Sequence, residues 1–577
     1  NLTESDVMVD SPTNNFATLN PLSKQSSSGL SEGNLKAVLT SGGNSARTPS
    51  TFAVSSGKWY WEVKQSSANR FGMGVFDTEN YVMTDEDAGI DAYEWAWILD
   101  GGASSQGIKF NNAVSADYGV EASDGDVIMV ALDVDNNAIW FGKNDSWFNT
   151  DGSASSATVK TQIEAGTTTN AAFTNLTSSL TPMFVRQTST DTLIANFGQD
   201  SSFAGTKTAQ GNSDSGGIGD FYYTPPSGFK ALCTSNLPDV AVVPSENFNT
   251  VTYSGTGATR SITGVGFQPD WVWFKERNNA VSHRVFDSVR GATKRMFPNN
   301  TDAESTQTTA LTSFDNDGFS LGSGGAVNGG SDTYVAWNWK ANGSSSSNTN
   351  GSITSTVSAN VDSGFSVSTW TGNATSGASV GHGLSKAPEM IINKCRSSAG
   401  NWAVYHASNT SAPETEYLEL ETTAATADIE NIWNDQAPTN SVFYLGNNAA
   451  VNGNGETFVT YCFHSVDGYS KCGSYTGNGN DDGTFVYTGF RPAFVIVKRT
   501  DATEGWAMVD NERVGYNPDT RFLYPNENSA EETLSGRFDI VSNGFKMRNS
   551  WSKINTSGGT YIYIAFAETP FKNSNAR

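Results

Sequence analysis

The sequence predicts an all-β protein, and three observations support this prediction. Aromatic residues make up 11% of the 577 residues, 57 positions are glycine, and only 16% of residues are charged. Leu, Lys, Glu and Arg, which fill helix surfaces, are scarce, whereas Thr, Ser, Asn, Gly, Val, Phe, Tyr and Trp dominate. Short apolar runs are bounded by Gly, Pro, Asn and Asp, the residues that form turns between strands. The length predicts roughly three to five domains.

Charge and cysteine content narrow the class of partner. The chain carries 35 basic and 59 acidic residues, a net charge of −24, which disfavours nucleic acid and anionic membranes and leaves proteins, glycans and cations. No apolar run is long enough to cross a bilayer, and the N-terminus lacks a signal-like core, so we predict no membrane insertion. Because the chain begins with Asn1, we expect a processed or partial N-terminus. The four cysteines form no disulfide framework; Cys462 and Cys472 could pair in an oxidising compartment, and otherwise we expect small buried residues.

The first third of the chain contains strand patterns. Residues 1–32 are polar and predict an N-terminal arm or connector. Ser56–Gln65 alternates large apolar with polar residues, as a half-buried strand does, and Arg70–Asp77 has glycines that leave room for a neighbouring backbone. Gly125–Asn149 predicts a hairpin whose turn is Asp135-Asn136-Asn137.

Five motifs follow one another along this part of the chain: SGKWYWEV, RFGMGVF, the hairpin LDVDNNAIWFGKN, LTPMFVRQ and LIANFGQDSSF. Together and in this order they resemble a SPRY domain, which we place at residues 33–238. The resemblance implies a bent β-sandwich whose loops bind a partner, without catalysis. The closing GDFYYTPPSGFKALCTSNLP resembles the tail that follows such modules in phage virion proteins. A Ser, Ala and Thr-rich insert at 152–175 departs from a compact SPRY domain.

The rest of the chain is a threefold repeat. GFRPAFVIVKR at Gly489 has counterparts in GFQPDWVWFKER at Gly266 and GLSKAPEMIINKCR at Gly383, 106 to 117 residues apart. Each copy also has an upstream aromatic-x-Gly turn and a closing strand: TYVAWNW, TFVTYCF and TYIYIAF. We therefore predict three tandem β-sandwich-like modules, each able to bury its own core. Their predicted bounds are 239–345, 346–466 and 467–577.

A Ser, Asn and Gly-rich spacer, 342–360, predicts a flexible or loosely packed link before the second copy. The tandem arrangement resembles a repeat module of marine phage tail and fibre proteins. This resemblance implies a virion location and, as for many fibres, a homotrimer, but it assigns no site residues.

Catalytic sets are not evident in the sequence. His283, His382, His406 and His464 occupy non-equivalent places in the repeats and lack metal-ligand spacing, so we predict structural or surface roles. Acidic pairs such as Asp481-Asp482 and Glu531-Glu532 are expected in solvated loops, although glycoside hydrolysis depends on a through-space separation that sequence does not show. There is no nucleophile elbow, phosphate loop or HExxH motif. We predict no enzyme activity and no cofactor.

Calcium is the ion that best suits the Asp, Asn and Gly loops. FDNDGF offers Asp315 and Asp317, and GNDDG offers Asp481 and Asp482. Neither loop has a complete calcium-binding spacing, so the alternative is that both are ordinary turns.

Three tryptophans are candidate ligand-binding residues. Trp402 and Trp506 follow polar turns at matching places in copies two and three, and Trp551 lies where the copies differ. Exposed indole rings stack on sugars, whereas the alternative is that the rings cover the edge of a sandwich.

Three functions remain open. The first is a non-enzymatic tailed-phage virion protein, a tail fibre or receptor-binding protein that presents loops to host surface polysaccharide or protein. The second is a capsid or tail decoration protein that binds other virion subunits. The third is a depolymerase that cleaves host glycan through paired carboxylates.

Overall fold

The structure is a computed structural model that divides into two compact units, unit 1 (Asn1–Asp239) and unit 2 (Val240–Arg577). It describes residues 14–24, 28–40, 46–66, 71–80, 91–98, 107–150, 154–155, 157–177, 179–186, 190–513, 517 and 519–573. The all-β prediction is confirmed, because strands joined into several sheets make up most of the regular structure in both units. Short 3-10 helices lie at Thr168–Asn170, Thr234–Asn236, Pro244–Glu246, Pro413–Thr415 and Phe571–Asn573.

Unit 1 is built from two antiparallel sheets. The larger has the order β1-β2-β14-β4-β9-β10-β11-β12, with β15 pairing in parallel with β4, and the smaller has the order β3-β13-β5-β6-β7-β8. The elements are β1 (Ser28–Ser31), β2 (Lys36–Leu39), β3 (Ala46–Pro49), β4 (Lys58–Gln65), β5 (Phe71–Asp77), β6 (Glu94–Ile98), β7 (Ile108–Asn111), β8 (Val114–Asp117), β9 (Val127–Asp133), β10 (Ala138–Lys143), β11 (Ser146–Phe148), β12 (Ala154–Ser155), α1 (Ala157–Glu164), β13 (Leu180–Arg186), β14 (Asp191–Asn196) and β15 (Lys230–Ala231).

Strand β4 is buried on both faces rather than on one, which corrects the half-buried prediction. Its alternate face, carrying Tyr60, is covered by α1 and by the segment that contains Phe221 and Phe229. The helix lies in the insert that departs from a compact SPRY domain. Chain segments outside the sheet therefore cover this second face of β4. The periodicity of a strand alone does not predict that such segments pack onto it.

Glu62 fixes this covering segment to the sheet. Its carboxylate accepts hydrogen bonds from the backbone N–H groups of Tyr222 (2.8 Å) and Tyr223 (2.7 Å), from the Tyr60 hydroxyl (2.9 Å) and from the Asn196 amide (3.1 Å). Burial raises the pKa of Glu62 to about 7, although all four donors favour the ionised form. The buried acid is a structural anchor.

The predicted N-terminal arm is partly packed. Residues 1–13 and 25–27 lie outside the described residues. Of the remainder, Phe16 and Leu19 are buried, Phe16 bridges to Cys233, and β1 forms the end of the larger sheet. The described part of the arm therefore belongs to the unit 1 sandwich.

Module 1 of unit 2 pairs its strands as β16-β24-β18-β19 and β17-β23-β22, with a small β20-β21 hairpin. Its elements are β16 (Phe248–Ser254), β17 (Arg260–Thr263), β18 (Trp271–Glu276), β19 (Arg284–Asp287), β20 (Lys294–Arg295), β21 (Ser305–Thr306), β22 (Leu311–Asp315), β23 (Gly318–Leu321), α2 (Gly325–Asn328) and β24 (Thr333–Trp339).

Module 2 pairs its strands as β25-β26-β27-β34-β29-β30-β31-β32 and β28-β33. Its elements are β25 (Ser346–Asn348), β26 (Ser355–Asn360), β27 (Phe365–Thr371), β28 (Ala378–Gly381), β29 (Met390–Cys395), β30 (Trp402–His406), β31 (Glu416–Glu419), β32 (Ala427–Asp428), α3 (Glu430–Trp433), β33 (Val442–Leu445), α4 (Ala449–Asn452) and β34 (Thr457–Phe463). The predicted flexible link is instead ordered, because β25 and β26 extend the sheet of module 2.

Module 3 pairs its strands as β35-β42-β37-β38 and β36-β41-β40-β39. Its elements are β35 (Ser470–Thr476), β36 (Phe485–Tyr487), β37 (Phe490–Arg499), β38 (Ala507–Asp510), β39 (Asp519–Phe522), β40 (Glu532–Val541), β41 (Gly544–Met547), α5 (Ser552–Asn555) and β42 (Thr560–Pro570). Strand β37 begins before Pro492, and the pairing with β42 shifts register on both sides of this residue. An irregularity accommodates the proline that a regular ladder excludes.

The three modules share one core. Each module has its own apolar cluster, but a further cluster takes residues from all three. Trp271 and Trp337 of module 1, Tyr461 of module 2, and Phe494 and Phe566 of module 3 are among its members. The larger sheets therefore pack their inner faces against one another, and the modules form one folded body.

Three equivalent backbone hydrogen bonds close the modules into a ring. In each bond, a backbone N–H group of one module donates to a carbonyl oxygen of another module, on the residue that directly follows β18, β29 or β37. The bonds join Glu304 to Arg396 (2.9 Å), Thr426 to Thr500 (3.0 Å) and Glu531 to Arg277 (2.7 Å). Module 1 thus meets module 2, module 2 meets module 3, and module 3 meets module 1.

Buried ion pairs reinforce the interface of modules 1 and 2. Arg290 contacts Asp287 through its Nε and Glu304 through its Nη1 (3.2 Å). The Tyr461 hydroxyl of module 2 donates to Asp287 (2.7 Å), and Arg396 of module 2 pairs with Glu304 (2.8 Å). Burial opposes ionisation of Glu304, but the two guanidinium groups hold its pKa below the ordinary value.

Modules 3 and 1 repeat this arrangement. Arg513 pairs with Asp510 (2.6 Å) and with Glu531 (3.1 Å), and Arg277 of module 1 pairs with Glu531 (2.9 Å). In place of a tyrosine, the indole Nε1 of Trp337 donates to Asp510 (3.0 Å). The same charge network is therefore present at two of the three interfaces.

A histidine occupies the equivalent position at the third interface. His406 of module 2 is buried, and its Nε2 lies 3.1 Å from the carbonyl oxygen of Tyr563 in module 3. Its Nδ1 accepts the Ser408 N–H (3.1 Å), so Nε2 is the protonated nitrogen that donates. A neutral imidazole is sufficient here, and no charge pair is formed.

Acidification from pH 7 to pH 5 should destabilise unit 2. Burial lowers the pKa of His382 and His406 to about 4. Because an unfolded histidine has a pKa of about 6.5, the unfolded chain binds more protons across this window, and stability falls as the pH falls. Burial raises the pKa of Glu421 to about 7, which opposes the effect, but burial also lowers the pKa of His283 and His464, so all four histidines of unit 2 act in the destabilising direction. The midpoint of thermal unfolding and the rate of amide hydrogen exchange in β34, both measured at pH 7 and pH 5, report the change in stability. The variant His406→Gln should show a smaller pH dependence than the wild type. Greater stability of unit 2 at pH 5 than at pH 7 would contradict the prediction.

One asparagine per module holds the loops together. Asn328, Asn452 and Asn555 are fully buried at the ends of α2, α4 and α5. Each side-chain amide donates to two loop carbonyls, and each carbonyl oxygen accepts a backbone N–H. All the polar groups of the side chain are thereby satisfied inside an apolar surrounding, which is the condition for burying an amide.

Candidate functional site

Trp402 and Trp506 are each 1% exposed. The Trp402 indole donates to the carbonyl oxygens of Phe297 (2.9 Å) and Asn300 (3.1 Å), and the Trp506 indole donates to that of Glu419 (2.9 Å). Each bond crosses an interface between modules. Neither ring has a free face, so these two residues are interface core rather than the predicted sugar-stacking platforms.

Trp551 is half-buried and lies in a cluster, the Trp551 patch, in which Arg537 and Lys553 are also half-buried whereas Phe522 and Tyr524 are buried beneath them. The Phe522 ring meets the indole edge-on at 5.1 Å, and the Tyr524 ring lies 6.4 Å away. The Arg537 guanidinium lies 4.8 Å from the indole centroid, and the Lys553 ammonium lies 4.7 Å from the Tyr524 centroid. The patch combines flat apolar rings with two cations.

Trp551 departs from the preference of helix N-termini for a residue whose side chain can cap the helix. Trp551 precedes α5 at the N-cap, where module 1 has Gly324 and module 2 has Asn448. The Asn448 side chain accepts the Ala450 N–H, whereas Trp551 makes no side-chain capping bond. Module 3 thus gives up a capping bond of about 1 kcal/mol for a large ring at the surface. Local rules are usually broken in this way at functional positions.

Polar contacts with neighbouring residues hold the side chains of the Trp551 patch in place. The Trp551 N–H donates to Asn549 Oδ1 (3.0 Å), the Tyr524 hydroxyl donates to Glu532, and Lys553 lies 3.5 Å from Glu527. The buried Nε of Arg537 has no hydrogen-bond partner within the described part of the chain. A half-buried indole beside two half-buried cations suits a sugar ring bearing a carboxylate, or an acidic peptide.

The predicted calcium ligands are used by protein donors. Asp315 accepts the hydroxyls of Ser313 (2.7 Å) and Ser320 (2.6 Å). Asp317 accepts the backbone N–H groups of Gly266 (2.7 Å) and Gly264 (3.1 Å), and the first of these bonds most strongly lowers its pKa. Both carboxylates thus support a hairpin turn.

The second predicted loop is similar. Asp482 pairs with Lys546 at 2.9 Å, and Asp481 is exposed beside it. Across the residues that the structure describes, no three His, Cys, Asp or Glu side chains gather as a metal site would require. The turn interpretation fits these four aspartates better than a cation site does.

Other reactive side chains are buried as structural groups. All four histidines are buried, and the four cysteines are buried and free, which agrees with the expectation of small buried residues. Sequence reasoning missed one buried lysine per module, Lys275, Lys394 and Lys498, each donating to backbone carbonyls. Burial lowers the pKa of each to about 8. Their full burial gives a substrate no approach to the amine.

Comparison with known families divides the chain in two. Residues 58–200 match the SPRY domain, and residues 243–570 match a domain of unknown function, DUF7483. None of the curated proteins matches the chain. Among the described residues, no helix is long and apolar enough to span a membrane.

Several solved structures resemble part of the chain. The PSpry domain of TRIM65 is 15% identical, with 31% of this chain and 92% of that chain covered. The SPRY domain of human HERC1 is 16% identical, with 31% and 96% covered. Stonustoxin is 20% identical, with 31% and 27% covered, so the match spans about a quarter of that protein. The TM-score is 0.23 in all three comparisons.

The two family matches agree with the architecture. Residues 58–200 form the SPRY domain that the sequence motifs predict, within the two-sheet unit 1. The second match covers all three repeat modules and more than half of the chain, so the family describes the closed ring rather than a single repeat. The chain belongs to the DUF7483 family, with a SPRY domain preceding the family's domain.

Proposed function

We propose that this protein is a non-enzymatic binding component of a tailed-phage particle, a tail fibre or receptor-binding protein that contacts host surface polysaccharide or protein. The Trp551 patch carries the proposal, because it joins a half-buried indole ring to two half-buried cations at the surface of module 3. The virion location rests on the resemblance of the repeats to phage tail and fibre proteins.

Two further features support a binding role. SPRY domains are protein-interaction folds, and the β7–β8 hairpin of unit 1 exposes Val114 to 67%, the largest value among the exposed large apolar residues described. The deeply buried carboxylates of Asp287 and Asp510 in unit 2 are engaged in ion pairs at interfaces between modules. A surface that binds without altering its ligand needs no further chemistry.

The alternatives make different predictions for one experiment. The protein is incubated with a panel of neutral and acidic bacterial surface polysaccharides, and retention and chain length are measured. Retention without shortening supports the proposal. Shortening would instead support the depolymerase, and absence of binding to glycans and cells would favour decoration of other virion subunits.

Trp551→Ala should weaken retention on an acidic polysaccharide by about two- to thirtyfold, because contacts with one aromatic ring contribute about 0.5–2 kcal/mol. Arg537→Gln should weaken retention on acidic but not on neutral chains. Because Trp551 is half-buried, its removal should cost less stability than removal of a core tryptophan. Ile429→Ala, at an exposed apolar residue of module 2, is the matched control. Equal retention by wild type and Trp551→Ala would contradict the assignment of the patch.

A further inference from the structure

A groove runs along the edge of module 1. It has a volume of about 400 Å³ and is lined by Asn249–Tyr253 of β16, by Arg260–Gly264 around β17, and by Glu512 of module 3. Both strands end their sheets, so among the described residues no strand pairs with the outer edge of either. Edge strands present unpaired N–H and C=O groups that another strand can satisfy.

Module 2 shows what fits this place. The turn residues Tyr253 and Trp370, and the glycines Gly266 and Gly383, align the repeats, so β16 corresponds to β27 and β17 to β28. In module 2 the outer edge of β27 is occupied by β26, which pairs antiparallel from Ser355 opposite Trp370 to Asn360 opposite Phe365.

The same segment also reaches the second strand. Ile353 forms a parallel bridge with Val380 of β28, and its N–H donates to the Ser379 carbonyl (2.9 Å). The Ser355 hydroxyl donates to the carbonyl of Gly381 (2.8 Å), whose counterpart in module 1, the Gly264 carbonyl, accepts the Asn249 side-chain amide at 3.3 Å. Residues 351–360 therefore fill in module 2 the space between the two sheets that remains a groove in module 1.

A buried polar group in the groove lacks a partner. Thr250 is 6% exposed, lines the groove, and its hydroxyl makes no hydrogen bond within the described part of the chain. A buried hydroxyl without a partner is unfavourable, and the residue of an added strand that lies opposite Thr250 would correspond to Ser358, whose polar side chain would lie beside this hydroxyl. The counterpart of Thr250 in the filled module is Val367, which needs no partner.

We propose that the module 1 groove binds an extended segment of a partner protein by adding a strand to β16. The segment runs antiparallel to Phe248–Tyr253, is about six residues long, and carries small hydroxylated and β-branched side chains like those of Ser355–Asn360. Main-chain hydrogen bonds supply the affinity, and the narrow space between the sheets selects small side chains.

A synthetic peptide with the sequence of residues 351–360, GSITSTVSAN, tests the site on the full chain. Amide hydrogen exchange is measured with and without the peptide. Exchange within Phe248–Ser254 should slow by at least about tenfold. Exchange within Phe365–Thr371 should not change, because its edge is already covered and serves as an internal control. A second peptide carries proline at its fifth and sixth positions, which correspond to Ser355 and Thr356. It has no backbone N–H to donate at these positions and should not protect β16.

Protection of β16 by the first peptide but not by the second supports the proposal. Three results would overturn it: no protection of β16 at saturating peptide, equal protection by both peptides, or protection confined to β27 through displacement of the internal strand. Concentration-dependent dimerisation of the full chain that the peptide abolishes would assign the groove to a second copy and would also overturn the partner assignment. Thr252→Pro, which disrupts the edge strand, should abolish protection, and circular dichroism reports whether this variant folds.

Discussion

Asp287→Ala should lower the free energy of unfolding of unit 2 by about 3–5 kcal/mol. The substitution leaves the fully buried Arg290 guanidinium without its closest carboxylate and the Tyr461 hydroxyl of module 2 without its acceptor. A buried charge that loses its partner keeps the cost of desolvation without the compensating attraction. Urea unfolding, followed by hydrogen exchange in β24 and β34, measures the loss.

Two variants make this prediction specific. Asp428→Ala removes an exposed carboxylate of module 2 and should change stability by less than about 0.5 kcal/mol. The double variant Asp287→Ala, Arg290→Met removes both charges and should recover much of the loss, because an apolar pair of similar size can replace a buried ion pair. A single-variant loss below about 1 kcal/mol would show that the network does not hold the interface.

Trp271→Ala should destabilise all three modules together, by about 3–5 kcal/mol. Trp271 is 2% exposed. Its ring centroid lies 4.5 Å from that of Trp339 in its own module, and 4.5 Å and 6.0 Å from those of Tyr461 and Phe463 in module 2. Removal of the indole leaves a cavity in the shared core. Because the core is common, the hydrogen-exchange protection of β24, β34 and β42 should fall by the same amount.

The control for this prediction lies on the opposite face of the same strand. Val272 belongs to the cluster confined to module 1, so Val272→Ala should destabilise module 1 more than modules 2 and 3. Equal loss in the three closing strands for Trp271→Ala, with unequal loss for Val272→Ala, would establish a shared core with separate outer layers. Independent unfolding of the three modules in the wild type would contradict the model of one folded body.

Much of the repeat could be predicted from the sequence, because its strands carry strong local signals. The closing strands at Thr333, Thr457 and Thr560 and the strand at Trp271 lie where the motifs place them. The aromatic residue of each aromatic-x-Gly turn also has a structural role, because its ring stacks on an aromatic ring of the closing strand. The ring centroids of Tyr253 and Tyr334 are 5.2 Å apart, and modules 2 and 3 have similar pairs. Such short-range patterns survive because strand periodicity and turn residues act within a few positions.

The partner of each apolar face could not be predicted in the same way. Alternation along the strand at Trp271 identifies two faces, but it does not tell whether another sheet of the same module or another module covers each one. Trp402 and Trp506 illustrate this limit, since a polar turn before an aromatic residue precedes exposed and interfacial rings alike. The buried positions of these two rings follow from contacts more than 80 residues away in sequence.

The repeats also contain polar residues at fixed positions that indicate buried networks. An asparagine stands five positions before each closing-strand threonine, at Asn328, Asn452 and Asn555, and each proves to be a fully buried hydrogen-bonding centre. An Asp-x-x-Arg pair recurs in modules 1 and 3 and marks the two charged interfaces. Polar residues that recur at fixed positions of an apolar repeat indicate buried networks as readily as they indicate sites.

The closed ring also affects how the protein behaves on dilution. Three identical subunits joined by such interfaces would separate as their concentration fell, because their assembly depends on mass action. Here each module is tethered to its neighbours, so the effective concentration of every interface is fixed by the chain and is independent of the number of molecules present. A single copy can therefore keep its threefold arrangement intact at vanishing abundance, while each of the three interfaces remains free to diverge in sequence from the other two.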